Sequence, residues 1–275
     1  KFFSITKIYN MLKIVFNFIL VFIGLGLTAQ EVMTPELLIQ LNKVSGKGIT
    51  SDAANVVYRL SKYSMDTNTK TNTFYQIPIK GGTPHELKDY SSLLKDLSIS
   101  PDGKYKILVK DVKLKNITGQ DHYKDVNNSD VKIYDALNYR HWDTWEDGAY
   151  SHIMYSPIAN SNTELIDIMS DEPFDCPQKP FGGAEDYLWS PDSKSILYVA
   201  KKLVGTAYTL STNSDIYEYN LETKATKNLT KNNKGYDTNP AFSVKGQLAW
   251  LQMRRDGYEA DKNDIILRIE DKDIN

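Results

Sequence analysis

The residues best suited to chemistry stand in one irregular stretch, Cys176-Pro177-Gln178-Lys179-Pro180-Phe181-Gly182-Gly183-Ala184-Glu185-Asp186-Tyr187. Two prolines and two glycines fix a non-repetitive path that ends on adjacent carboxylates. A carboxylate at the mouth of such a loop can hold an ammonium group by a charge-assisted hydrogen bond. Glu185 is the first candidate for that work and Asp186 the second; the alternative is a pair of solvated acids that cap the loop. A second dense stretch, Tyr139-Arg140-His141-Trp142-Asp143-Thr144-Trp145-Glu146-Asp147-Gly148, crowds two indoles among acids and bases. It suits either a buried polar network anchored by the indoles or the wall of a binding cavity.

Much catalytic chemistry is missing from the sequence. There is no Gly-x-Ser-x-Gly elbow, no His-Glu-x-x-His helix, no phosphate-binding glycine loop and no clustered Cys/His ligand set. No complete active site, cofactor or metal site is therefore expected. His85, His122, His141 and His152 are scattered and read as surface or structural residues. Cys176, the single cysteine, has no partner for an intramolecular disulfide and reads as a buried structural thiol.

With 33 basic against 35 acidic side chains and a net charge of -2, nucleic acid is not an expected partner. The chain is 41% hydrophobic, enough for a sizeable core, and its 18 Tyr, nine Phe and four Trp favour pleated, half-buried surfaces. The bias is towards β structure.

Residues 1–10 read as extra upstream sequence and 11–29 as a signal peptide. Met11-Leu12-Lys13 gives a short basic start, Phe18 to Leu27 an apolar run, and Leu27-Thr28-Ala29 a small residue before Gln30. A retained N-terminal anchor is the alternative. After cleavage no membrane association is expected, and the mature chain would be periplasmic or secreted. Residues 30–47 read as a linker with a short helix. Thr34 supplies the cap, Pro35 the first helical position and Glu36 the first turn.

From residue 48 to 275 the sequence repeats. Ile99-Ser100-Pro101-Asp102-Gly103-Lys104 recurs as Trp189-Ser190-Pro191-Asp192-Ser193-Lys194, decays to Phe242-Ser243-Val244-Lys245-Gly246, and is faint at Ile49-Thr50-Ser51-Asp52. Each copy precedes a strand-like apolar run, as a tight turn between strands should. Asn213-Ser214-Asp215-Ile216-Tyr217 is matched by Asn128-Ser129-Asp130-Val131-Lys132-Ile133-Tyr134, and Thr73 to Ile79 fills the same slot in the first unit. The anchors lie 50, 90 and 53 residues apart, against a propeller blade of roughly 40–50 residues. The 90-residue gap holds two blades or one blade with a large insertion. The expected fold is all-β: a partial β-propeller of about three to four blades, each of four antiparallel strands, after the short helix.

These stretches, with Leu210-Ser211-Thr212-Asn213-Ser214-Asp215-Ile216-Tyr217, Gly235-Tyr236-Asp237-Thr238-Asn239-Pro240 and Met253-Arg254-Arg255-Asp256-Gly257-Tyr258-Glu259-Ala260-Asp261, resemble the N-terminal propeller of bacterial dipeptidyl-peptidase 5-like enzymes. Those are serine peptidases of the prolyl oligopeptidase family, also called acylaminoacyl-peptidase-like. The resemblance runs from Met33 to Asp264. It implies a propeller that caps a C-terminal α/β-hydrolase domain carrying a Ser-Asp-His triad, admits short peptides, and holds their free N-terminus on an acidic side chain. Glu185 takes that anchoring role by position, with Asp186 second. The triad has no counterpart here, so the chain is expected to be a fragment, inactive alone, of an exported enzyme that releases dipeptides. A non-enzymatic periplasmic interaction propeller built from similar repeats is the alternative.

Overall fold

The computed structural model describes residues 13, 32–125, 128–159, 165–270 and 272–275. The expected upstream sequence and the signal peptide, apart from Lys13, lie outside the described residues. The chain divides into two compact units, residues 1–95 and 96–275.

In the first unit a short helix, Pro35–Gln40, starts where expected, with the Thr34 hydroxyl accepting the Leu37 amide at 3.1 Å. One sheet follows, made of β1 (Lys43–Ile49), β2 (Asn55–Ser64), β3 (Thr69–Pro78) and β4 (His85–Leu87), in that order. Its first strand begins inside the stretch expected to be linker.

Among its described residues the second unit holds three blade sheets and one two-stranded hairpin. The first pairs β5 (Tyr105–Lys113) with β8 (Ala149–Pro157) and β9 (Ile166–Asp167), and Ile99 bridges to Lys106 in the place of a fourth strand. Between β5 and β8 lies an insertion, residues 114–148, that carries the small hairpin of β6 (Arg140–His141) and β7 (Thr144–Trp145). The next sheet is β10 (Tyr187–Trp189), β11 (Ser195–Ala200), β12 (Asp215–Asn220) and β13 (Thr226–Asn228). The last is β14 (Asp237–Phe242), β15 (Leu248–Gln252), β16 (Asp264–Ile269) and β17 (Lys272–Ile274). Four-stranded antiparallel sheets in sequential order are the blades of a β-propeller, and the fold is all-β. The 90-residue gap is one blade with an insertion.

One expected correspondence fails. Asn128 to Tyr134 does not pair with β5. It stays within the insertion, where Ile133 donates to the Ile117 carbonyl and Lys132 bridges Thr118. β5 pairs instead with β8, in which Ser151 to Tyr155 are five consecutive buried residues. Burial decides it: Asp130 and Val131 are exposed, whereas Asp215, in the segment they were matched to, is buried among Asn228 and Thr230.

Three of the four repeat turns share one hydrogen-bond circuit. The hydroxyl of the first residue donates to the Asp two positions on and accepts the amide five positions on. Thr50, Ser100 and Ser190 donate to Asp52, Asp102 and Asp192 at 2.5, 2.6 and 2.7 Å, and accept from Asn55, Tyr105 and Ser195 at 3.0, 3.0 and 2.9 Å. In the decayed copy Lys245 replaces the Asp; Ser243 still accepts the Gln247 amide at 3.1 Å, and the Gln247 side-chain oxygen takes its hydroxyl. The residue after each Asp position is left-handed, at Ala53, Gly103, Ser193 and Gly246, which explains why Gly or Ser recurs there.

The core sits between blades of the second unit. Ile196, Tyr198 and Ala200 pack towards Ile107, Ile153, Tyr155 and Trp189, while Leu197 and Val199 pack towards Leu248, Trp250 and Ile266. Asp237, fully buried, ties the last blade by accepting from Trp250 Nε1, Gln252 and Asn233 at 2.8, 2.9 and 3.1 Å.

Because the Ser190 hydroxyl is buried and serves both as donor and acceptor, Ser190→Ala is expected to lower unfolding free energy by about 1–2 kcal/mol. Ser243→Ala, at the exposed decayed turn, should change it by less than about 0.5 kcal/mol. Urea unfolding of both variants measures the contrast, and equal losses would contradict it.

Candidate functional site

Antiparallel alternation puts every repeat turn of the second unit at one end of its sheets. The opposite end receives the connections between second and third strands, residues 114–148, 201–214 and 253–263, together with the loops that lead into β10 and β14. Two adjoining pockets open at that end and share Asn138, Lys201 and Tyr208. The inner one is walled by Glu146, Asp175, Lys179, Lys201 and Tyr208; the outer one continues past Arg140, Tyr236 and Glu259.

The two stretches singled out by their composition meet here. Phe181 sets its ring edge-on to His141 and Trp142, with centroids 6.5 and 5.8 Å apart. Behind this contact Tyr134, Tyr139 and Trp145 stack on one another, Arg140 lies 5.1 Å over the Trp145 ring, and the Tyr134 hydroxyl donates to the Glu146 carbonyl at 2.6 Å. The indole-rich stretch is thus a cavity wall and not a buried network, since Trp142 and Trp145 are both exposed.

Charges in the cleft are mostly paired. Lys179 reaches Asp175 at 3.2 Å, Asp111 at 3.4 Å and the Ala149 carbonyl at 3.2 Å. Burial pulls its pKa down, but Asp175 and Asp111 outweigh that and the net shift is upward. Asp175 accepts the Ser151 amide at 2.7 Å, and burial still raises its carboxyl. Lys201 donates to the Ser211 carbonyl at 2.5 Å and sits 4.1 Å over the Tyr208 ring; burial lowers it. Asp256 fastens the cleft's far wall by accepting from the Ser211 hydroxyl and the Thr212 amide at 2.6 and 2.9 Å.

No family model matches the chain. Curated relatives do. It is 33% identical to dipeptidyl-peptidase 5 of Porphyromonas gingivalis over 86% of this chain and 41% of that protein, and 31% identical to dipeptidyl-peptidase 5 of Porphyromonas endodontalis over 84% and 40%. The chain is similar to dipeptidyl-peptidase 5. It spans about two fifths of the length of these relatives. Among solved structures, the acylaminoacyl peptidase of Pyrococcus horikoshii aligns at 11% identity and a TM-score of 0.46, over 84% of this chain and 38% of that one. The β-propeller domain of the Trilobed protease from Pyrococcus furiosus aligns at 12% and 0.33, over 86% and 57%.

In this propeller the two sequence-predicted site residues part company. Both lie in a single turn, Ala184–Asp186, before β10. Glu185 is exposed, and its carboxylate folds back over Gly183. Asp186 turns inward, is only 4% exposed, and accepts the Gln178 amide at 2.9 Å. Gly182 makes that possible: a Cβ there would stand 2.2 Å from the Asp186 carboxylate and 2.4 Å from the Gln178 amide. Asp186 therefore clamps the loop, and the two acids are not a pair aimed at one point. Cys176, fully buried, points its thiol at the Asp186 carbonyl, 3.7 Å away, and burial pushes it well up. His152 is likewise structural, fully buried between Asp167 and the Glu172 carbonyl at 2.8 and 2.9 Å. Among the described residues no group of three or more His, Cys, Asp or Glu is placed to hold a metal, and no helix is long and apolar enough to cross a membrane. Sequence reasoning marked the stretch holding Glu146 but missed Asp175, Lys201 and Tyr208, which carry no local motif.

Burial pushes the Asp186 carboxyl up to about 6, with Glu185 adding to the effect and the Gln178 hydrogen bond opposing it. The folded chain thus keeps a proton that the unfolded chain releases, so stability falls as pH rises from about 4 to about 6. Asp186→Asn keeps an acceptor for Gln178 and removes the buried charge. It is expected to exceed the parent in stability by on the order of 2–3 kcal/mol at about pH 8, with the gap closing towards pH 4. Melting both proteins across that range measures it; a gap independent of pH would contradict the assignment.

Proposed function

We propose that this propeller gates and anchors substrate for an exported serine peptidase that releases dipeptides from short peptides. In this reading Glu185 holds the free N-terminus, and the catalytic triad belongs to an α/β-hydrolase domain outside this sequence. The enzyme works in the periplasm or outside the cell. The supporting observation is the asymmetry of the second unit: its repeat turns are short and pair their hydroxyls with their own carboxylates at one end, while three insertions and the Pro/Gly loop gather around a polar cleft at the other. Dipeptidyl-peptidase 5 relatives at 33% and 31% identity agree with that reading. Glu185 is the exposed acid of the loop whose Gln178 and Lys179 line the cleft; it lines neither pocket itself, so in this reading its side chain turns from Gly183 to reach an ammonium group. Asp186 supports it by fixing the loop rather than by touching the peptide.

The test is activity of the complete reading frame on dipeptidyl substrates with free and with acetylated N-termini. Loss of one charge-assisted hydrogen bond predicts that Glu185→Ala lowers kcat/KM roughly 10- to 100-fold on free-amine substrates and much less on acetylated ones. Equal loss on both would remove Glu185 from the anchoring role. An inert complete protein would overturn the peptidase reading itself.

A further inference from the structure

The first unit holds a pocket whose chemistry differs from that of the cleft. Its short helix, Pro35–Gln40, ends at Leu41, whose amide donates to the Leu37 carbonyl at 3.2 Å, and the chain then enters β1 at Lys43. Ile39 and Leu41 form one wall of a pocket of about 320 Å³, and the sheet forms the other. Lys43 stands opposite Ser61 of β2, and Lys70 of β3 stands opposite Tyr63. Residues two apart on a strand share a face, so Lys43, Ser61, Tyr63 and Lys70 lie on one side of the sheet, with Ile39 and Leu41 across the pocket from them. Lys62 lines the pocket as well.

Lys43, Lys62 and Lys70 are the only charged side chains in its lining, and none of them makes a hydrogen bond, an ion pair or a ring contact among the described residues. Like charges gathered without a counter-charge repel one another, and an anion seated among them relieves that repulsion. The other polar groups of the walls are already spent. The buried Ser61 hydroxyl donates to the Asn72 side-chain oxygen at 2.7 Å, the Tyr63 hydroxyl donates to the Asn68 side-chain oxygen, and at Ser61 the β2 backbone is paired with β1 and β3 alike. A peptide main chain would find few partners here. An aliphatic body needs only apolar side chains, and these remain to be covered: Leu41 is 44% exposed and Ile39 half-buried. Charge is distributed to match. Residues 32–95 carry eight basic side chains against five acidic, whereas residues 96–275 carry 22 against 29, so the attraction for an anion belongs to the first unit.

We propose that this pocket binds an amphiphilic anion, an aliphatic chain lying against Ile39, Leu41 and Tyr63 with its anionic head held by Lys43, Lys62 and Lys70. The proposal does not rest on the peptidase reading. Such a ligand has two sources, a free fatty-acid-like molecule and a lipid within a bilayer. A pocket bounded by a helix on one side and a sheet on the other admits a single chain rather than a bilayer face, and the occupant is the free molecule.

Calorimetric titration of the full chain with decanoate, acetate and decyltrimethylammonium, each in monomeric form, tests it. Decanoate is expected to bind, acetate at least about tenfold more weakly for want of the tail, and the cation not at all. Changing Lys43→Gln together with Lys70→Gln alters two exposed side chains and should weaken decanoate binding at least about tenfold. Lys110→Gln, on β5, should leave it unchanged. The proposal is overturned if decanoate does not bind, if acetate or the cation binds equally well, or if the double variant binds as the parent does. Sedimentation with phosphatidylglycerol vesicles separates the two sources: capture by vesicles without binding of decanoate would make this a membrane-facing surface and overturn the proposal. On the unmutated chain, nuclear Overhauser contacts between bound decanoate and the Tyr63 ring are expected, and their absence with decanoate bound would overturn the proposal even where the double variant folds poorly.

Discussion

Two-sided burial of β11 is the constraint on which the second unit depends. All six residues from Ser195 to Ala200 are buried, with alternate side chains facing opposite neighbours. A strand that is apolar on both faces has no stable place at a solvent-facing surface, so a sheet must cover each side. The blades before and after it supply those covers, and the turn at Ser190 fixes its register. Further ties run from blade to blade: the Trp189 indole donates to the Ser98 carbonyl at 2.8 Å, the Asp102 amide to the Ser193 hydroxyl at 3.0 Å, and the Asp237 amide to the Ser214 carbonyl at 3.0 Å. A stack held this firmly through its middle can carry long excursions at one end. Lys202 adds a polar tie of the same kind, reaching Glu172 at 2.6 Å and the Tyr198 hydroxyl at 3.0 Å beside the Tyr217 ring.

The two ends of the sheets then diverge in chemistry. At the turn end the connections are short and pair their hydroxyls and carboxylates within a few residues, with one tie between turns from the Asp102 amide to the Ser193 hydroxyl, and little polar capacity is left for a ligand. At the insertion end the connections are long, and they satisfy one another across blades. Ser211 and Thr212 are held by Asp256, Lys179 by Asp111, and Phe181 by His141 and Trp142. Walls built from three blades leave space between them, and the groups facing that space are carboxylates, ammonium groups and phenols. That is the chemistry needed to receive a short peptide, whose backbone and terminus are polar and whose side chains are mixed.

The fold was largely legible in the sequence, because the repeat turn carries its own mechanism: the hydroxyl, the carboxylate and the left-handed residue each leave a letter. Even the faint Thr50 copy folds to the same circuit, and the copy with Lys245 in place of Asp keeps the left-handed residue and a variant in which Ser243 accepts the Gln247 amide. The partner of β5 was not legible, since Asn128 to Tyr134 has the right residues in the right order and loses only because Ser151 to Tyr155 buries more. The site was half legible. Density of Trp, Pro and Gly marked both stretches that meet at Phe181, and position ranked Glu185 ahead of Asp186 without a physical ground. Their difference comes from Gly182, whose missing side chain admits one carboxylate inward. Lys201 and Tyr208 came from a segment with no motif, and only the long-range register of β11 on β12 brings them to the cleft.

The central claim is that the insertion end of the second unit receives peptide. Photo-crosslinking tests it directly, with a short peptide that has a free N-terminus and a benzophenone side chain, and with adducts mapped by mass spectrometry. The account predicts adducts within residues 138–150, 178–185 and 201–212. Adducts gathered at the repeat turns, around Pro101 to Lys104 and Pro191 to Lys194, or spread evenly over the surface, would contradict it.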